Sequence, residues 1–146
     1  MPLEGAEGSG GSFEYFDHAA DLGIRVAAPS LPELFAAAVR AVMNWIGPAP
    51  QGAELEIEVR LEAEDLEGLL VRWLQEALYI FQQRRVYVTG VKRLELDGAR
   101  LEAVLAGRAW DEEDRRSFSE VKAVTYHKLE VRQEESGWCA RIVLDI

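Results

Sequence analysis

Between Ser30 and Gly47 the apolar residues Leu31, Leu34, Phe35, Ala38, Val39, Val42, Met43 and Ile46 recur at helical spacing, which lines one face of an α-helix. Ser30 and Glu33 stand at capping-box separation, Pro32 sits in the first turn, and Gly47-Pro48 closes the segment. A second stripe, Leu66, Leu69, Leu70, Trp73, Leu74, Ala77, Leu78 and Phe81, follows Asp65 as N-cap. Val71, Tyr79 and Ile80 lie off that stripe, so the second helix is expected to be covered on more than one side.

Elsewhere the period is that of a strand. Leu55, Ile57, Val59 and Leu61 alternate with Glu54, Glu56, Glu58, Arg60 and Glu62, which predicts a half-buried strand with one wet face. Phe13 to Phe16 and Ile24 to Ala27 read as two short strands joined by Asp17-His18-Ala19-Ala20-Asp21-Leu22-Gly23. Val86 to Leu96 and Arg100 to Trp110 flank Asp97-Gly98, a dipeptide suited to a tight I′ hairpin. Val121 to Glu134 and Trp138 to Leu144 flank a loop containing Ser136-Gly137, and the charged run Asp111 to Arg116 reads as a solvated loop. The sum predicts an α+β single domain, a mostly antiparallel β-sheet with two amphipathic helices packed on it. Residues 1–12, rich in glycine and serine, read as a disordered tail ahead of a domain spanning 13–146.

Composition narrows the classes of function. The 146 residues suit one domain, and 16 basic against 26 acidic residues give a net charge of −10. Phosphate backbones repel such a chain, so direct, tight nucleic-acid binding is disfavoured; basic partners, metal ions or plain solubility are the uses that remain. The single cysteine, Cys139, excludes an intramolecular disulfide and a cysteine-based zinc site, and reads as a packing residue in a strand. No apolar run approaches the roughly 18 residues of a membrane span, and the start lacks a signal-peptide pattern, so a cytoplasmic protein off the membrane is expected.

Catalytic motifs are missing. Gly8-Ser9-Gly10-Gly11 lacks the Lys-Ser/Thr of a phosphate loop, the two histidines His18 and His127 are not at metal-ligand spacing, and no nucleophile elbow is present. Three places hold candidate chemistry. Asp17, His18 and Asp21 share one connection, where they could ligate a cation or orient a partner, or serve as turn formers. At the chain end, Asp145 and the Ile146 carboxylate bring two anionic groups together, which suits a hard divalent cation such as Ca²⁺ or Mg²⁺. A third oxygen group must come from elsewhere, and Asp21 is a candidate. Lys122, finally, is a lone lysine among the apolar residues of a predicted strand.

These places carry a resemblance. Tyr15-Phe16-Asp17-His18-Ala19-Ala20-Asp21-Leu22-Gly23, Leu69-Leu70-Val71-Arg72-Trp73-Leu74, Val121 to His127 and the terminal Asp145-Ile146 occur in the order seen in the archease family, which the chain resembles from about Phe13 to Ile146. The resemblance implies a non-enzymatic protein cofactor of a GTP-dependent RNA ligase, one that joins 3′-phosphate or 2′,3′-cyclic phosphate ends to a 5′-hydroxyl in tRNA splicing or RNA repair. Such a cofactor promotes guanylylation of the ligase and restores multiple turnover. It further implies a divalent-cation site at Asp21, Asp145 and the Ile146 carboxylate, with calcium favoured in a crystal and magnesium or manganese as alternatives. Lys122, with His18 and His127, would face the ligase. Three departures stand out: Ala19 replaces a threonine, Arg108 a glutamate and Arg115 a histidine. A chaperone-like modulator of nucleic-acid-modifying enzymes with a structural metal is the alternative; a metal-dependent phosphohydrolase using Asp21 and His18 is a third reading, weakened by the absence of an activated nucleophile.

Overall fold

A computed structural model describes residues 10–18 and 21–146, with only the main chain of His18. The tail expected over residues 1–12 therefore lies largely outside the described residues, although Ser12 already belongs to the first strand. Element order is β1 (Ser12–His18), β2 (Asp21–Ala28), α1 (Leu31–Ile46), β3 (Glu54–Glu62), α2 (Leu66–Gln83), β4 (Val86–Asp97), β5 (Arg100–Ala109), α3 (Glu112–Arg115), β6 (Ala123–Glu134) and β7 (Gly137–Asp145). This is an α+β fold with antiparallel pairing throughout.

The strands form two sheets, ordered β1-β2-β7-β6 and β3-β5-β4, rather than the one sheet that the alternation suggested. Both helices touch both sheets: α1 lies on β2 and β4, α2 on β6 and β4. That middle position explains the burial of α1 beyond its stripe, for Ala36, Ala37 and Ala41 are also buried. Small side chains there let a second layer approach. On α2, Val71 and Ile80 are buried as expected, but Tyr79 is 54% exposed.

Buried polar groups bind the layers. Trp73 Nε1 donates to the carbonyl of Phe35 at 2.8 Å, joining the helices, and Trp110 Nε1 donates to that of Phe81 at 2.9 Å near the end of α2. The Tyr87 hydroxyl lies 3.0 Å from the Met43 carbonyl and 2.6 Å from that of Gly47, so its proton adds to the Gly47 N–H that already caps the end of α1. Burial, and after it the nearby Tyr15, push the Tyr87 phenol up to about 12.

Four local expectations change. Asp17, His18, Asp21, Leu22 and Gly23 belong to strands, because the β1–β2 ladder continues to the pair His18–Asp21. In the β4–β5 hairpin, Asp97 pairs with Arg100, so the turn is Gly98-Ala99 with φ +61° at Gly98; one positive φ at the first position fits a II′ turn, not I′. The charged run after Trp110 contains the one-turn α3, started by an Asp111–Asp114 capping box and held against Trp110 by the Arg115 guanidinium. Lys122 precedes β6 instead of lying within it. Edge strands β4 and β6 carry register shifts, the usual protection of an open edge. No helix among the described residues is long and apolar enough to cross a membrane.

Candidate functional site

The placement of β7 decides what the chain end can do. It lies between β2 and β6, antiparallel to both. Leu22 faces Leu144, and one step further the register sets Asp21, first residue of β2, across from Asp145, last residue of β7. On the other flank Ala123 pairs with Asp145, and His18 is paired with Asp21 on β1. One end of this sheet therefore collects residues from four strands.

Leu22 and Leu144 point into the core, so strand alternation turns Asp21 and Asp145 to the outer face of the sheet. Both are half-buried, and neither carboxylate has a hydrogen-bond or ion-pair partner among the described residues. Like charges facing one another across a strand pair repel. A hard cation coordinated by oxygens would relieve that repulsion, so the donor chemistry fits a divalent ion. Two side chains are too few on their own. Among the described residues no group of three His, Cys, Asp or Glu side chains converges.

Gly23 occupies its place beside this corner for a steric reason. A Cβ there would fall 2.3 Å from Cε1 and Cζ of Phe16, whose ring lies across the glycine. The Arg25 guanidinium sits 4.0 Å from the centroid of the same ring, a cation–π contact that holds the aromatic flat on the sheet.

Lys122 reaches the corner through its main chain. The segment ahead of β6 is pinned at three points: Ser119 N–H to the Ile46 carbonyl at 2.7 Å, Gln82 Nε2 to that of Val121 at 3.1 Å, and Lys122 N–H to that of Asp145 at 2.7 Å. Its exposed side chain lines a groove of about 680 Å³ together with Phe81, Gln82 and Phe118. The carboxylates lie on the outer face and the lysine on the groove side. His127 is further along, in the irregular stretch of β6 between Thr125 and Glu130; it is exposed, and its N–H donates to Thr125 Oγ1 at 3.2 Å. The following Lys128 adopts φ +52°.

The anchoring roles of Gln82, Ser119 and Ile46 have no signal in the sequence, since each contact spans distant parts of the chain. The departures fall elsewhere. Ala19 lies outside the described residues; Arg108 is on the other sheet, bonded to Glu54 at 3.1 Å; Arg115 pairs with Glu112 at 3.0 Å. Burial first, and a hydrogen bond with Glu134 second, push the Cys139 thiol up, away from a reactive thiolate.

The architecture defines a class: a two-sheet α+β protein whose last strand is inserted centrally and ends in an acidic corner beside its first hairpin. The family model described as "Archease protein family (MTH1598/TM1083)" matches residues 13–146, and the chain belongs to the archease family. Protein archease of Methanosarcina mazei is 34% identical over 151 residues, covering 100% of both chains. That of Pyrococcus abyssi is 35% identical over 140 residues, covering 92% of this chain and 98% of its own. Among solved structures, that of Methanobacterium thermoautotrophicum protein 1598 superimposes with TM-score 0.69 at 28% identity, covering 94% of this chain and 99% of the other. The crystal structure of a Thermotoga maritima archease, described as a possible chaperone, gives TM-score 0.63 at 20% identity over 90% and 94% of the two chains, a likeness of fold alone.

Proposed function

We propose that this archease is a non-enzymatic, cytoplasmic protein cofactor that activates a GTP-dependent 3′-phosphate/5′-hydroxyl RNA ligase, promoting its guanylylation and multiple turnover in tRNA splicing or RNA repair. The observation that carries the reading is the convergence of Asp21, Asp145 and the Lys122 main chain at one end of the larger sheet. Asp21, Asp145 and the Ile146 carboxylate would hold a divalent cation, calcium, magnesium or manganese, which supplies positive charge at an otherwise acidic corner. Lys122, together with His18 and His127, would contact the ligase. An acidic, cation-carrying tip suits entry into a cleft that itself handles metal and nucleotide, where it would favour the guanylylation-competent state.

The test is a ligation assay with limiting ligase, excess RNA and GTP, with and without this protein. Sustained turnover only in its presence supports the reading; a ligase indifferent to it overturns it. The second reading is a chaperone-like modulator with a structural metal; the Thermotoga protein of the same fold is described as a possible chaperone. Binding to the ligase without any effect on rate would select that one, and phosphoester hydrolysis by the purified protein alone would exclude both.

A further inference from the structure

We propose that the groove between the last turns of α2 and the segment ahead of β6 receives a short protein segment in which a carboxylate neighbours an apolar side chain. This rests on the ligase reading, which makes the ligase the source of that segment. The groove encloses about 680 Å³, within the roughly 300–1,000 Å³ of ordinary binding pockets, enough for a side chain or two with their main chain. Its floor is apolar, formed by Ile46, Leu78 and Val121.

Charge selects the occupant. The chain carries a net −10, yet Arg115 and Lys122 stand on this rim beside Glu120, and Arg115 shares the Glu112 carboxylate with Arg85, which leaves this neighbourhood one positive charge in excess. No carboxylate among the described residues lies within ion-pair range of the Lys122 ammonium. Gln83, exposed on the same rim, offers amide donors and an acceptor to a peptide main chain. Chemistry also argues against a nucleotide here, because base recognition without pairing relies on open aromatic faces. The largest ring of the lining is covered: Trp110 is 6% exposed, and the Arg85 and Arg115 guanidinia stand 5.1 Å and 5.0 Å from it; the partly buried Phe118 is engaged edge-on with Phe81 and Trp110. A segment seated in the groove would lie beside the main-chain junction of Lys122 and Asp145.

The experiment titrates purified ligase with the full chain, comparing the parent with a Gln83→Glu/Arg115→Glu double variant, Glu120→Gln, and Arg60→Glu on the distant β3 as a charge control. The double variant is expected to bind about tenfold more weakly, Glu120→Gln a few-fold more tightly, and the control like the parent. Half-maximal stimulation should shift with affinity while its maximum stays. Equal binding by parent and double variant overturns the groove and leaves the ligase reading intact; a parent that neither binds nor stimulates overturns the ligase reading first. Should the double variant melt early, amide exchange in the parent–ligase complex decides: protection over 115–122 and at Gln82 and Gln83 supports the groove, and protection elsewhere alone overturns it. Saturable binding of GTP at the groove by the protein alone likewise overturns it.

Discussion

The main-chain N–H of Lys122 donates to the carbonyl of Asp145 at 2.7 Å, tying the residue before β6 to the last residue of β7. The Leu22–Leu144 pair, one residue further in, sets Asp145 next to Asp21 at the end of that ladder. One hydrogen bond and one strand pairing thus connect three residues far apart in sequence. The cation and ligase roles argued above depend on that connection staying rigid.

Removing either carboxylate should abolish cation binding and leave the fold in place, because both side chains point out of the core. Ca²⁺ is expected to raise the melting temperature of the parent, through its preference for the folded site, and not that of Asp21→Ala or Asp145→Ala. The same variants should stimulate guanylylation at least about tenfold less, the size of effect typical of damaged metal sites. A residue appended after Ile146 displaces the terminal carboxylate and should weaken Ca²⁺ affinity; unchanged affinity would remove that group from the site.

Gln82 is a positioning residue. Gln82→Ala leaves the Val121 carbonyl without its side-chain partner, at a cost of about 1 kcal/mol. Amide exchange at Lys122 should quicken while exchange in the centre of α2 does not, and ligase stimulation should fall with it. Uniform acceleration across the domain would instead mark a general loss of stability.

Gly23→Ala drives a methyl group into the Phe16 ring, which must swing off the sheet and leave the Arg25 guanidinium. A loss of about 1–2 kcal/mol is expected in urea unfolding. In a Phe16→Ala background the same substitution should cost far less, since the obstructing ring is gone; equal costs in both backgrounds would refute the steric account.

Tyr87 makes stability fall at high pH. Its phenol ionises near 10 when unfolded and is raised to about 12 when folded. The unfolded chain therefore loses this proton first, so the contribution is full below pH 10 and is lost as pH rises toward about 12. Tyr87→Phe should flatten that part of the stability profile and cost about 1 kcal/mol at neutral pH, where the Gly47 carbonyl loses this donor and the Met43 carbonyl keeps only the Gly47 N–H.

Much of this molecule is readable from local pattern. The stripe from Leu31 to Ile46 and that from Leu66 to Phe81 form helices where expected, because a 3.6-residue period and an N-cap are properties of neighbouring residues. Turns were less legible. Asp97-Gly98 was displaced by one residue because the ladder, through the Asp97–Arg100 pair, chooses the register. The polar stretch Asp17 to Gly23 resembles a loop in composition, yet strand pairing absorbs most of it, and Gly23 answers to a ring on the adjacent strand.

By itself, then, the sequence determined the two long helices, the number of strands, their antiparallel hairpins and the residues carrying charge, all of which follow from interactions within a few positions. Tertiary structure alone decided that the strands divide into two sheets, that β7 enters between β2 and β6, and that Asp21, Lys122 and Asp145 meet. Such meetings come from burying apolar faces that lie dozens of residues apart, and periodicity within one segment carries no record of which distant segment will cover it.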